Sequence, residues 1–185
     1  MTQVTPESAK VVISSSASSV GDLQVTPTKA TGPLTVTMPS SSLSLPRVGS
    51  ITKDFRFSAG HTLALHRGKC RNLHGHNYTL RVSIKGPIHN DGTSSNDMVM
   101  DFGDLKDVMR PLIEYVDHRF IIWEHDPRYI GLMAIDPTSL IALPFHPTAE
   151  RLAIWFENRI EGALGDQAVD VSITLWETDD SSAST

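Results

Sequence analysis

The chain has 185 residues, of which 39% are hydrophobic and 20% charged, with a net charge of −5; this suits one ordinary soluble domain and leaves little room for a second. No apolar run approaches the ~20 residues of a membrane helix, no basic-then-apolar leader opens the chain, and the acidic balance offers no basic face to nucleic acid. A single cysteine rules out a disulfide framework within the chain, so a reducing cytoplasm is the expected compartment.

Residues 1–49 contain no Phe, Tyr, Trp, His or Cys and are rich in Ser, Thr, Val and Pro. Too little bulky apolar surface is present to offset the entropy of ordering, so a disordered tail is expected there. Arg47 is its lone arginine, which does not fit an organelle transit peptide. The folded domain is expected over 50–180, with a second disordered stretch at 181–185.

Within the domain, Ile51, Phe55, Phe57, Ala59 and His61 fall on one face of a strand, with Lys53 the exception. His74, His76, Tyr78, Leu80, Val82 and Ile84 do the same in a second strand, which Gly86-Pro87 stops. Asn90-Asp91-Gly92 reads as a hairpin turn before a third strand at 98–100. Leu105, Val108, Met109, Leu112, Ile113 and Val116 have helical spacing, and Pro111 predicts a kink or an interruption. A short hairpin is expected over 132–143, turning at Asp136-Pro137. A second helix begins after Pro147-Thr148, with Thr148 as cap, buries Leu152, Trp155, Phe156, Ile160 and Ala163, and ends at Gly165. A last strand from Val169 puts Val171, Ile173, Leu175 and Glu177 on one face. These elements predict an α+β domain with a mostly antiparallel sheet.

Three strands thus carry a polar group at one end of their apolar face. His74 and His76 lie two residues apart, hence about 6.6 Å along one side of a strand, and His61 can join them from a neighbouring strand. Three imidazoles with one open coordination position make the donor set of a catalytic zinc site. Nickel or iron(II) would accept the same ligands; zinc is preferred because no carboxylate clearly joins the set. The alternative is three core histidines satisfied by hydrogen bonds.

Cys70 sits between Lys69 and Arg71; neighbouring cations favour the thiolate, the form that removes protons, over a role as buried filler. Asp117-His118 can form a proton relay, although the pair alone fits a surface helix C-terminus better. Glu177, a carboxylate on an apolar face, needs a partner such as an N–H pair on a ligand, or else frays into solvent near Asp179-Asp180. Arg67, Lys69 and Arg71 read either as a triphosphate-attracting group or as a solvated basic loop.

These residues occur in motifs that together resemble the family of 6-pyruvoyltetrahydropterin and 6-carboxytetrahydropterin synthases. In order they are Phe57-Ser58-Ala59-Gly60-His61, Cys70 with His74-Gly75-His76-Asn77, Met100-Asp101-Phe102 with Leu105-Lys106, Asp117-His118-Arg119, Pro147-Thr148-Ala149-Glu150 and Trp176-Glu177-Thr178. The resemblance implies the tunnelling fold: a four-stranded antiparallel sheet, two helices packed on one face, and subunits that join sheets into a barrel. Related enzymes are hexamers built of two trimers, with pockets between subunits. It implies His61, His74 and His76 as zinc ligands, Cys70 as catalytic thiol, Asp117 and His118 as its relay partners, and Glu177 as the grip on the pterin 2-amino group and N3. Thr148 and Glu150 fall where the family lines the same pocket.

Three residues separate Cys70 from His74-Gly75-His76, as in the carboxy-forming branch; pyruvoyl-forming relatives have a longer spacing, and a folate-linked branch has Glu in place of the Cys. The implied reaction is a zinc-dependent carbon–carbon lyase step. It converts 7,8-dihydroneopterin triphosphate to 6-carboxy-5,6,7,8-tetrahydropterin, acetaldehyde and triphosphate, on the route to 7-deazaguanine (queuosine precursor) compounds. The alternatives are the pyruvoyl-forming synthase and a pterin-binding relative without catalysis. The stretch 123–146 is longer than in compact relatives, and the serine-rich C-terminus stands where relatives continue into a last strand.

Overall fold

The computed structural model describes residues 12–16, 35–39, 48–165, 167 and 169–185. Strands β1 (Val12–Ser16) and β2 (Thr35–Pro39) pair in parallel, Val12 opposite Thr35, within a unit of residues 1–45 that is separate from residues 46–185. The rest of the segment expected to be disordered lies outside the described residues, apart from Val48 and Gly49, which open the next strand.

That strand, β3 (Val48–His61), pairs antiparallel with β4 (His74–Pro87) over their full lengths, from Val48 opposite Pro87 to His61 opposite His74. Strict alternation drives the pairing: Phe57, Ala59, Tyr78, Leu80, Val82 and Ile84 are buried, while Asp54, Arg56, Asn77 and Arg81 face outward. Lys53 keeps to the inward rhythm after all, its ammonium lying over the rings of Phe55 and Phe102 at 6.0 and 5.9 Å.

Helix α1 (Phe102–Val116) is capped by Asp101, whose carboxylate accepts from Gly103 N–H. It runs through Pro111 without interruption, because Pro111 faces solvent and the carbonyl freed one turn earlier can be hydrated there. The strand expected at 98–100 is absent: the segment runs irregularly into α1, and Val99 and Met100 are buried in the core nevertheless. After α1, β5 (Arg119–Trp123) leads to α2 (Tyr129–Ile135), a 3-10 turn at Pro137–Ser139 and β6 (Leu140–Leu143). The hairpin expected over 132–143 is therefore corrected to helix, turn and strand. Asp136 accepts from Thr138 N–H and Ser139 N–H, and so nucleates the tight turn rather than a hairpin.

Thr148 caps α3 (Ala149–Leu164), accepting from Arg151 N–H at 3.4 Å, and Gly165 ends it at φ 63°. β7 (Asp170–Thr178) then pairs antiparallel with β4, and β8 (Ser181–Ser184) returns along β7 across a bulge at Trp176 and Thr178. Within 181–185, expected to be disordered, Ser181–Ser184 instead form this edge strand, because backbone pairing to β7 asks nothing of serine side chains.

The sheet thus has six strands in the order β6-β5-β3-β4-β7-β8 and is mixed: β5 runs parallel to β3, and β6 parallel to β5. This corrects the four-stranded antiparallel expectation and adds a third α-helix. Helices α1 and α3 pack on the face bearing Phe57, Tyr78, Leu80 and Leu175, to which they bring Leu105, Met109, Leu152, Phe156 and Ile160. Each such side chain contributes about 1.5–3 kcal/mol when fully buried.

Candidate metal centre

The core face of β3 and β4 changes character at one end. His61 and His74 are opposite partners in the antiparallel pair, and His76 lies opposite Ala59, whose methyl group leaves room for the ring. The three imidazoles meet with centroids 4.4, 5.1 and 5.0 Å apart, and one nitrogen from each lies within 4.8 Å of the others. His61 is buried, and the other two are half-buried.

Backbone carbonyls set the tautomers. His61 Nδ1–H donates to Pro147 O at 2.8 Å, and His74 Nδ1–H donates to Asn72 O at 2.9 Å. A carbonyl can only accept, so Nδ1 carries a proton in each ring and Nε2 is the nitrogen left to ligate a metal. Burial pushes the His61 imidazole down to about 4, with the Pro147 carbonyl opposing and His74 and His76 adding to the fall. His61 is therefore neutral at pH 7.

Glu177 comes in from the end of β7, with Oε1 3.7 Å from His61 Nε2. Both atoms are buried without a hydrogen-bond partner, as is the Tyr78 hydroxyl beneath them. Burial, and then the nearby Glu177 charge, push the Tyr78 phenol above its ordinary value. Two bare lone pairs facing one another call for something electropositive between them. The residues fit a cation on this ground, and the His61-His74-His76 set can hold a metal ion.

Cys70 lies half-buried in a 3-10 turn (Lys69–Arg71) of the loop that joins His61 to His74. Arg67, Lys69 and Arg71 expose their side chains around it. The loop is fastened by residues that motif reasoning missed. Asp126 and Arg128 lie in the stretch set aside as an insertion, and Thr62 is fully buried at the foot of the loop. A short Asp-x-Arg spacing after an apolar run was the available signal, and by itself it has no specificity.

The profile of the family described as 6-pyruvoyl tetrahydropterin synthase matches residues 50–185. The chain belongs to this family. It is 40% identical over 158 residues to a 6-carboxy-5,6,7,8-tetrahydropterin synthase of Aquifex aeolicus, covering 72% of this chain and 94% of the relative. A protein of the same name from Haemophilus influenzae is 38% identical over 133 residues, covering 69% and 92%. Among solved structures, an uncharacterized protein from Wolinella succinogenes matches with a TM-score of 0.62 at 24% identity, covering 75% of this chain and 97% of that one. A 6-pyruvoyl tetrahydropterin synthase from Plasmodium vivax gives 0.59 at 17%, covering 75% and 96%. These two share the fold.

The remaining family motifs are placed less simply. Asp117 ends α1, and its Oδ1 accepts from Ser58 N–H at 2.8 Å while Oδ2 pairs with His118 Nδ1 at 2.9 Å. The Ser58 N–H first, and then His118, hold the Asp117 carboxyl below its usual range. His118 takes the left-handed conformation, φ 58°, that turns the chain off the helix, and its side chain is 82% exposed. It lines an open cleft with Ser58, Gly60, His76 and Asn77. Among the described residues, no hydrogen bond or ion pair links Asp117 or His118 to Cys70 or to the three histidines. Thr148 acts as a helix cap and Glu150 occupies the first turn of α3, one residue and three residues beyond the carbonyl that orients His61.

Proposed function

We propose that the chain cleaves a carbon–carbon bond of 7,8-dihydroneopterin triphosphate, giving 6-carboxy-5,6,7,8-tetrahydropterin, acetaldehyde and triphosphate with consumption of water. The observation that carries this reading is the electron-rich end of the β3–β4 pair: three converging imidazoles and the Glu177 carboxylate, with the thiol on the loop that joins the two strands. The names of the Aquifex and Haemophilus relatives, and the short spacing from Cys70 to His74, favour the carboxy-forming reaction.

His61, His74 and His76 would hold zinc, which when bound supplies Lewis acidity toward substrate oxygens and so acidifies the neighbouring C–H. Glu177 accepts the paired N–H groups of the pterin 2-amino group and N3 through its carboxylate. Thr148 and Glu150 border the same pocket. Cys70, as thiolate, removes the side-chain proton. Asp117 fixes the ring of His118 through Nδ1, leaving Nε2 free to carry that proton onward.

Because Asp117 and His118, among the described residues, share no hydrogen bond or ion pair with Cys70 of their own chain, the relay fits a pocket closed by a neighbouring subunit. The edges β6 and β8 are open for the sheet joining that a homo-hexamer of two trimers uses. Among the described residues no helix is long and apolar enough to cross a membrane; a cytoplasmic role in 7-deazaguanine synthesis completes the proposal.

Product analysis by mass spectrometry tests it. Zinc-loaded protein given 7,8-dihydroneopterin triphosphate should release acetaldehyde, trapped as a hydrazone, and a carboxytetrahydropterin. A pyruvoyl product without acetaldehyde would replace this reading with the pyruvoyl-forming reaction.

A further inference from the structure

The loop of residues 62–73, which carries Cys70 between two ligand-bearing strands, is tied at both flanks by one cation from a distant part of the chain. Thr62 Oγ1–H donates to Arg71 O at 2.9 Å, and Leu63 N–H donates to Cys70 O at 2.9 Å, so the two sides of the loop already touch. Arg128, between β5 and α2, reaches the same two atoms: Nη1 donates to Arg71 O and Nη2 to Thr62 Oγ1, each at 2.7 Å. The other side of the guanidinium fork is held by Asp126, with Nε to Oδ1 at 2.9 Å and Nη2 to Oδ2 at 2.7 Å. Arg128 N–H also donates to Asp126 Oδ1 at 2.9 Å. The Asp126 side chain is 1% exposed, so its charge depends on this partner.

Few side chains could do this. A planar fork of fixed donors meets a carboxylate with one edge while its remaining N–H groups point at two further acceptors. A lysine ammonium can neutralise Asp126 but cannot hold that carboxylate in two places and bridge Arg71 O to Thr62 Oγ1 as well. Thr62 adjoins His61, and Arg71 adjoins Cys70, so one residue sets the spacing between the metal-ligand strand and the thiol turn.

We infer that Asp126 and Arg128 are positioning residues for Cys70, which hold the thiol-bearing loop in one geometry against the metal centre. Their effect on turnover rests on the proposed reaction; their hold on the loop does not. Arg128→Lys and Asp126→Asn should be compared with the wild-type protein, all zinc-loaded. Measurements are hydrogen exchange over 62–73, alkylation of Cys70 by iodoacetamide at fixed pH, and kcat and KM for 7,8-dihydroneopterin triphosphate. Because the chain has one cysteine, alkylation reads that thiol alone.

Exchange in 62–73 should accelerate about tenfold or more in Arg128→Lys while β4 keeps its protection, and the alkylation rate should change about fivefold. kcat should fall about tenfold or more with KM within about threefold, and zinc content should be unchanged. Asp126→Asn, which keeps the shape and frees the fork, should show the same pattern at smaller size and carries the test if Arg128→Lys does not fold. Wild-type exchange and alkylation in a folded variant would overturn the inference, whatever the activity. If the wild-type protein forms no carboxytetrahydropterin, the proposed reaction falls, and exchange and alkylation still decide whether the pair holds the loop.

Discussion

Acid should destabilise the metal-free protein at a higher pH than its carboxylates alone would. His61 is 1% exposed, and burial brings its imidazole from 6.5 in the unfolded chain to about 4 in the folded one. A group whose folded value is the lower takes up a proton on unfolding. Its contribution is therefore intact above about pH 6.5 and is lost as the pH falls from 6.5 towards 4. At about 1.4 kcal/mol for each pH unit, the full loss is about 3 kcal/mol, a large part of the roughly 5–15 kcal/mol that holds a domain folded. Urea unfolding of chelator-treated protein between about pH 7.5 and about pH 4.5 reads this directly. His61→Asn is the control, since its amide can still donate to the Pro147 carbonyl but does not titrate. The wild-type protein should lose about 2–3 kcal/mol more than the variant across that range. Parallel curves for the two proteins would refute the reasoning, because His61 would then titrate alike folded and unfolded. With zinc present, the wild-type loss should be steeper, since protons compete for the imidazoles that hold the metal.

Other substitutions probe the site from different sides. Cys70→Ala should lower turnover about 10²–10⁴-fold while metal analysis still finds zinc bound; wild-type-like activity would remove the thiol from the mechanism. Glu177→Gln should stabilise the metal-free protein by about 1 kcal/mol in thermal unfolding, because an amide N–H can donate to His61 Nε2 where a carboxylate cannot. The same change should raise KM about tenfold or more, since an amide meets the pterin N–H pair with one donor too many. Gly75→Ala should cost about 1–3 kcal/mol, as its Cβ would lie 2.9 Å from Ala59 O, a backbone atom that cannot swing aside. Gly60→Ala, whose Cβ meets the Phe120 ring at 2.4 Å, should cost less because that side chain can rotate; the order of the two melting temperatures checks this.

Much of the fold was legible because its signals are local. The alternation of Phe57, Ala59 and His61, and of His74, His76 and Tyr78, is a property of a few consecutive residues, and β3 and β4 follow it residue by residue. The helical spacing from Leu105 to Val116 and from Leu152 to Ile160 is equally local, as are the Thr148 cap and the Gly165 stop. The segments misread were those whose structure comes from partners distant in sequence. Phe120, Ile121 and Ile122 form a strand because β3 and β6 flank them in parallel, and a short apolar run does not announce that. Ser181–Ser184 pairs through backbone atoms on the edge of β7, which leaves no side-chain pattern to find.

The candidate site divides along the same line. By itself the sequence determined which side chains are candidates for the chemistry: three histidines at strand ends, one thiol between cations, and a carboxylate on an apolar face, all read from type, spacing and family motif. Only the tertiary structure decided how they are held. It gave His61 its tautomer through the Pro147 carbonyl, set Glu177 against a bare imidazole nitrogen, joined Asp117 to Ser58 N–H and His118, and bound the Cys70 loop to Arg128. Periodicity reports which face of one element a residue occupies; hydrogen bonds between elements 57 or 86 residues apart form only when the chain has folded and brought their partners together.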